Sequence, residues 1–370
     1  MKHFLRPMEA PAEQVDRIEA VAKRCLDAAR IKADDGTWIF QPDGAGKYPG
    51  RIYFRDFCYA VEGAGHLIPP EEIAAAIDFL IAGQREDGLM ANCVYTDGRP
   101  VYLVAGTRPP TDNAQFAVKL VDAYCDVTGD FTLYERHRNA LMDGMETVPL
   151  SEDGLVFVDP ANPHSAYGFT DTVGKTGKVL FSSLLYWEAC MVLAKLGQRS
   201  EDHEGAHIWF EAAEHTSHAL KEFYRPRDGM MDAATGDCDQ TDLWGSAYAG
   251  VVRALSKKET VRVGEYLFDR YGDCFLRGCV RHIPQPRFWQ RMLAEYTRGT
   301  YQNGGYWPVA TGWAAMVLDR YDHATALTLI DEAVDLLEEE DAPEWINDTE
   351  ADGKLYVASA ANVLAAVKRV

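Results

Sequence analysis

The stretch Arg85–Met90, REDGLM, ends one helical pattern and opens an extended run. It recurs as SEDGLV at Ser151–Val156, as RDGM at Arg227–Met230 and as ADGKL at Ala351–Leu355. Asp-Gly is strong turn chemistry, because glycine takes the left-handed backbone that a tight reversal needs. The first three connectors come after helical segments ending near Gly83, Thr147 and Tyr224, and the fourth precedes the last helix. Gly88, Gly154 and Gly229 lie 66 and 75 residues apart. The residues after the first two turns, LMANCVY and LVFVDP, suit short extended segments. The repeating unit is therefore a helix pair with a decorated loop, about 60–70 residues long, and six such pairs fill 370 residues.

Helical periodicity supports this reading over 12–33, 53–66, 70–84, 111–128, 130–147, 178–197, 203–223, 243–256, 259–271, 287–297, 307–319, 321–339 and 356–368. In the first of these, Val15, Ile18, Val21, Ala22 and Cys25 recur at spacings of three and four, which makes one apolar stripe. Many helices with almost no alternating strands mean an all-α fold. Six pairs can build an open superhelix or a closed (α/α)6 toroid. Open solenoids have shorter repeats and polar loops. Here the loops are rich in aromatics, glycine and carboxylates, as on a functional face, so the toroid is expected. No Pro/Gly/Ser-rich linker divides the chain, and one domain over 1–370 is the economical reading.

Composition narrows the partners. The net charge of −20 disfavours nucleic acid, anionic membrane surfaces and polyanions. Eight cysteines without a CxxC motif, most of them in apolar stretches, read as buried reduced thiols. The start MKHFLRPMEAPAEQ has no signal-peptide core and no apolar run reaches 18 residues, so a cytoplasmic protein is expected. A carbohydrate partner is suggested by Thr300–Trp313, TYQNGGYWPVATGW. Aromatic faces cover the C–H faces of a pyranose, amides bind its hydroxyls, and glycines let the backbone approach.

Several loops resemble the six-hairpin glycosidase superfamily, in particular its α-glucosidase, trehalase and glycogen-debranching types. Arg55-Asp56-Phe57 resembles the early sugar-binding loop. Thr111–Phe116, followed by TGD at 128–130, resembles a helix start of the debranching enzymes. Tyr167–Asp171 resembles the loop that carries the general acid, and Tyr301–Trp307 an aromatic Gly-rich loop. Pro343–Asn347, followed by YVASAANVLAAV, resembles the segment that carries the general base. The likeness runs in order over about residues 50 to 370. It departs where Thr172-Val173-Gly174-Lys175 replaces the usual Ser-Pro after the acid. Many relatives carry an N-terminal β-sandwich with no counterpart in these 370 residues, which suggests a small substrate or a different way of closing the site.

The resemblance implies a glycoside hydrolase of the inverting type, with Asp171 as acid and Glu344 as base. Such a pair stands about 6.5–9.5 Å apart to admit a water. Asp171 has a second reading as a helix N-cap, and Glu344 as part of the solvated acidic run Glu338–Asp341. Arg55, Asp56 and Asp112 are candidates for binding sugar hydroxyls; a structural ion pair or a helix cap explains them equally well. Tyr301, Asn303 and Trp307 would line the pocket. Asp242 and Trp244 form a rival site, with capping the alternative for Asp242. Three Asp at 237, 239 and 242 hint at a calcium loop but lack its Glu and Gly, and neither metal nor cofactor is called for. GFTDTVGKT at 168–176 has the wrong spacing for a phosphate loop. His203, His207, His215 and His218 read as surface residues, and Glu188 as a satisfied core carboxylate. Two other functions stay open. An epimerase or isomerase would need a pair of loop histidines, for which only His66, His164 and His282 are available. A non-catalytic carbohydrate-binding protein would lack a perturbed carboxylate pair.

Overall fold

The computed structural model describes residues 5–104, 108–163 and 165–369. Its helices are α1 Ala12–Ala29, α2 Phe54–Ala64, α3 Pro70–Ile81, α4 Asn113–Thr128, α5 Thr132–Glu146, α6 Leu180–Arg199, α7 His203–Ala219, α8 Leu243–Val251, α9 Lys257–Asp269, the single turn α10 Tyr271–Cys274, α11 Thr311–Leu318, α12 His323–Glu339 and α13 Val357–Ala365. Burial sorts them into two layers. Helices α2, α4, α6, α8, α11 and α13 are buried nearly all round, whereas α1, α3, α5, α7, α9 and α12 bury one stripe. The inner six pack in succession, α2 on α4, α4 on α6, α6 on α8, α8 on α11 and α11 on α13, and α13 returns to α2. This is the closed (α/α)6 toroid.

The sequence explains both layers. Val15, Ile18, Val21, Ala22 and Cys25 are all buried on α1, whose other face meets solvent. Inner helices approach closely because small residues stand at their contacts. A Cβ on Gly63 of α2 would lie 2.0 Å from the Ala361 carbonyl of α13. Helix α6 is long and apolar enough to cross a membrane by length and composition, but 89% of its apolar window is buried within the ring. Its Glu188 faces Lys119 at 2.8 Å, with Tyr248 donating to the same carboxylate. That polar cluster, which includes Glu62, is the satisfied core carboxylate expected from sequence. All eight cysteines are free and buried.

The Asp-Gly connectors repeat one geometry: Gly88, Gly154, Gly229 and Gly353 all have φ between 70° and 88°. Short strands come after the first two, at Cys93–Tyr95 and Phe157–Val158. Two small sheets shape the functional end. In one, Arg51–Tyr53 pairs antiparallel with Cys93–Tyr95, which pairs with Pro100–Val101. In the other, five strands run in the order Ala351–Asp352, Trp345–Ile346, Tyr306–Trp307, Cys279–Arg281, Phe275–Leu276. At the far margin of the ring, Met8–Ala10 lies parallel to Val367–Arg369.

One expected helix is not there. Residues 287–297 form an irregular segment, because their polar groups are taken up by other loops. Gln240 bonds the Phe288 carbonyl (2.9 Å) and the Gln290 amide (2.8 Å), and the Leu293 amide donates to Thr172 (2.7 Å). The apolar spacing of this segment instead serves a small cluster in which Trp289 and Met292 pack with Val173, Ala233, Cys238 and Ile283.

Candidate active site

The loops that enter the inner helices converge on one cavity of about 160 Å³. Its wall includes Tyr48, Arg51, Tyr53, Arg55, Asp56 and Tyr95, together with Phe169, Asp171, Tyr301, Glu344 and Tyr356.

Glu344 arrives from the loop before α13. Its amide is held by the carbonyls of Asp352 and Gly353, both at 2.9 Å. The side chain is buried and takes two donors, Lys47 Nζ on Oε2 (2.7 Å) and Tyr48 OH on Oε1 (2.8 Å). Both donors come from a loop folded around buried Asp43, whose carboxylate accepts the amides of Ala45, Lys47 and Tyr48 at 3.0, 2.9 and 2.9 Å. Burial pushes the Glu344 carboxyl up to about 7, against the opposing pull of Lys47.

Asp171 comes directly after the short turn Gly168–Thr170. Among the described residues its one hydrogen-bond donor from a side chain is Gln302 Nε2, at 2.7 Å. The orientation of that amide is fixed, because Gln302 Oε1 accepts from the Thr172 amide (2.9 Å) and hydroxyl (2.6 Å). Burial raises Asp171 to about 6, and Gln302 and Arg55 oppose the rise. Tyr301 lies near both acids: after burial, the charges of Glu344 and Asp171 push its phenol well up. It holds a left-handed backbone (φ 43°) in a turn closed by its own carbonyl and the Gly305 amide.

Arg55 and Asp112 form a buried two-pronged ion pair, with both contacts at 2.9 Å. The same Asp112 carboxylate accepts the Gly168 amide at 2.9 Å, so it anchors the loop that carries Asp171. Glycine is required at 168, where a Cβ would fall 1.8 Å from the Arg55 guanidinium carbon. Asp112 is thus fully covered beneath the cavity, while Arg55 reaches its wall. Asp56 also reaches the wall and accepts from Tyr356 OH at 2.5 Å. Burial raises its carboxyl, against the nearby Arg55 charge.

The structure thus brings Arg55, Asp56, Asp171, Tyr301 and Glu344 together, and gives the other candidates different surroundings. Asp242 caps α8 by accepting the Gly245 amide at 2.8 Å. Trp244 is buried and stacked on His282 at 3.9 Å between centroids. Asn303 donates to the Tyr296 carbonyl (3.1 Å) and Trp307 to the Tyr301 carbonyl (3.3 Å), so both brace the aromatic loop from within. Of the loop histidines, His66 is exposed beside Glu19, His282 lies in the aromatic core, and His164 is outside the described residues.

Sequence reading missed Lys47, Tyr48, Arg51, Tyr53 and Tyr356, and took Gln302 for an amide that binds sugar hydroxyls, whereas it holds Asp171 and Thr172. The signal for some of them was present. In Arg51-Ile52-Tyr53 and Cys93-Val94-Tyr95, the alternate residues Ile52 and Val94 are buried, and their neighbours face the cavity.

The fold is that of the (α/α)6 glycoside hydrolases. Among solved structures it is similar to the GH63 mannosylglycerate hydrolase of Thermus thermophilus in complex with glucose (TM-score 0.68, 14% identity, covering 94% of this chain and 99% of that one). It is similar too to the glucoamylase of Saccharomycopsis fibuligera (TM-score 0.65, 12% identity, 98% and 96% covered) and to the rhamnosidase of Klebsiella oxytoca with rhamnose bound (0.65, 11%, 96% and 64%). No family model matches the chain, and no curated protein matches it in sequence.

Proposed function

We propose that this protein is a glycoside hydrolase that works by inversion on a small glycoside, with Asp171 as general acid and Glu344 as general base. The observation that carries the reading is the pair of cavity carboxyls, both raised by burial but partnered differently. Glu344 faces a cation and a phenol, which favour its ionised form and leave it able to take a proton from water. Among the described residues Asp171 takes a side-chain hydrogen bond from a neutral amide alone, with Arg55 acting only as a nearby charge that Asp112 already pairs, so a bound neutral sugar that displaces water favours its protonated form, ready to serve the leaving oxygen. Arg55 and Asp56 offer hydrogen bonds to ring hydroxyls. The solved neighbours include enzymes crystallised with glucose and with rhamnose, which supports a sugar as the ligand here.

Two observations weigh against the other functions. A carbohydrate-binding protein has no use for two perturbed carboxyls in one cavity. Among the described residues, no histidine lines that cavity, as proton transfer at carbon would require.

The test is a panel of aryl glycosides and short oligosaccharides, with product anomers followed by NMR. Release of a sugar of inverted configuration is expected, and Glu344→Gln should lower kcat by orders of magnitude in a folded protein. Retention of configuration would refute inversion. Near-normal turnover by Glu344→Gln would remove that residue from its role.

A further inference from the structure

The charges around the cavity do not balance evenly. Lys47 is satisfied by Glu344 (2.7 Å) and Asp352 (2.5 Å), and Arg55 by Asp112. Arg51 is the exception. Among the described residues no carboxylate pairs with it, and its buried Nε has no acceptor. Its titratable neighbours are the Tyr53 and Tyr95 phenols and the Cys93 thiol, none of them a carboxylate. The guanidinium sits 5.2 Å from the centre of the Tyr95 ring, its partner across the strand pair. This places a charged fork, with Tyr53 beside it and its Nε–H unpaired, on the face of the sheet that forms the cavity wall.

Depth tells which part of a glycoside meets it. Glu344, Asp56 and Arg55 are buried at the bottom, where the sugar ring must lie for its anomeric carbon to reach the acids. Arg51, Tyr95 and Val101 are half-buried, and Leu103 beside them is exposed, so they form the rim. A group at the rim belongs to the leaving side of the substrate. A guanidinium there fits a carboxylate through two parallel hydrogen bonds. A group with one negative charge fits better than one with two, because Asp56, Asp171 and Glu344 lie close by and the whole chain is acidic.

We infer that Arg51 forms an anion subsite, and that the substrate is a glycoside whose small leaving group carries a carboxylate. The inference rests on the hydrolase reading for its chemistry, and the subsite can be tested apart from it. Two glycosides of the sugar identified by the panel are compared, one linked through the hydroxyl of lactate and the other through lactamide. Binding of free lactate and lactamide is followed by NMR in parallel. Wild-type protein should cleave the lactate glycoside with kcat/KM about tenfold to a hundredfold higher than the amide. Arg51→Gln should bring that ratio towards one and abolish lactate binding, whereas Arg51→Lys, which keeps the charge, should retain a preference. A wild-type ratio near one, or a ratio untouched by Arg51→Gln, overturns the subsite and leaves the hydrolase reading standing. If neither glycoside is cleaved but lactate still binds through Arg51, the hydrolase reading fails and the subsite survives. If lactate binding does not depend on Arg51, the subsite fails.

Discussion

Replacing Asp171 with Asn should stop catalysis and stabilise the fold, and the two effects should depend on pH in different ways. The substitution keeps the shape and the hydrogen bond from Gln302 Nε2 but removes the ionisation. Burial lifts the Asp171 carboxyl from 3.8 to about 6. Because its folded value lies above its unfolded one, its favourable contribution to stability is complete below about pH 4 and is lost as pH rises through about 6. Above that point an ionised Asp171 costs the fold up to about 3 kcal/mol, at ~1.4 kcal/mol per unit. The side chain lines a cavity and is half-buried, so about 1–2 kcal/mol is the realistic figure. Asn carries no such cost. For a chain of 370 residues that corresponds to a Tm gain of roughly 1–3 °C at pH 8 and none at pH 4. Paired scanning calorimetry at the two pH values, with kcat on the best aryl glycoside, measures both effects. Stabilisation that is equal at pH 4 and pH 8, or a loss of stability at pH 8, would refute the argument that ionising Asp171 strains this site.

Three further contacts can be tested by substitution. Lys47→Met takes the cation from Glu344, whose carboxyl should rise above about 7, so the ascending limb of the kcat/KM–pH profile should move alkaline by about one unit; an unmoved limb would separate Lys47 from the base. Asp112→Ala leaves Arg55 buried without its partner and should cost about 3–5 kcal/mol in urea unfolding, while Gly168→Ala should cut kcat/KM by about tenfold or more by displacing the guanidinium. Lys119→Met strands Glu188 in the core, where neither residue lines the cavity, and should lower stability by about 3–5 kcal/mol with KM unchanged; a change in KM would tie that cluster to the site.

Much of the ring was legible because its cause is local. Amphipathic stripes such as Val15–Cys25, mostly apolar segments such as 356–368, and Asp-Gly turns all act within a few residues, so periodicity finds them. The segment 287–297 shows the limit. Its apolar spacing mimics a helix, but Gln240 and Thr172 capture its backbone groups from elsewhere in the chain. The site divides in the same way. Asp171 and Glu344 stand in short motifs that a resemblance can match. Their partners do not: Lys47 lies 297 residues from Glu344 in sequence, and Gln302 lies 131 from Asp171. Asn303, Trp307 and Trp244 looked like sugar-binding groups because residue type alone does not reveal which way a side chain turns. Inside the folded loop, the Tyr296 and Tyr301 carbonyls and the His282 ring meet them first.

The closure of the ring has a consequence for how the protein comes into being on the ribosome. Asp56 and its hydrogen-bond partner Tyr356 are separated by 300 residues, and the strand Met8–Ala10 finds its partner only at Val367–Arg369. At roughly 5–20 residues per second of synthesis, the first half of the cavity waits about 15–60 s for the second. During that interval helix α2 lacks α13, the neighbour that covers one of its flanks. The emerging chain therefore presents an uncovered apolar seam until its last helix pair arrives. Conditions that slow elongation lengthen the period in which chaperones, or other nascent copies, can reach that seam.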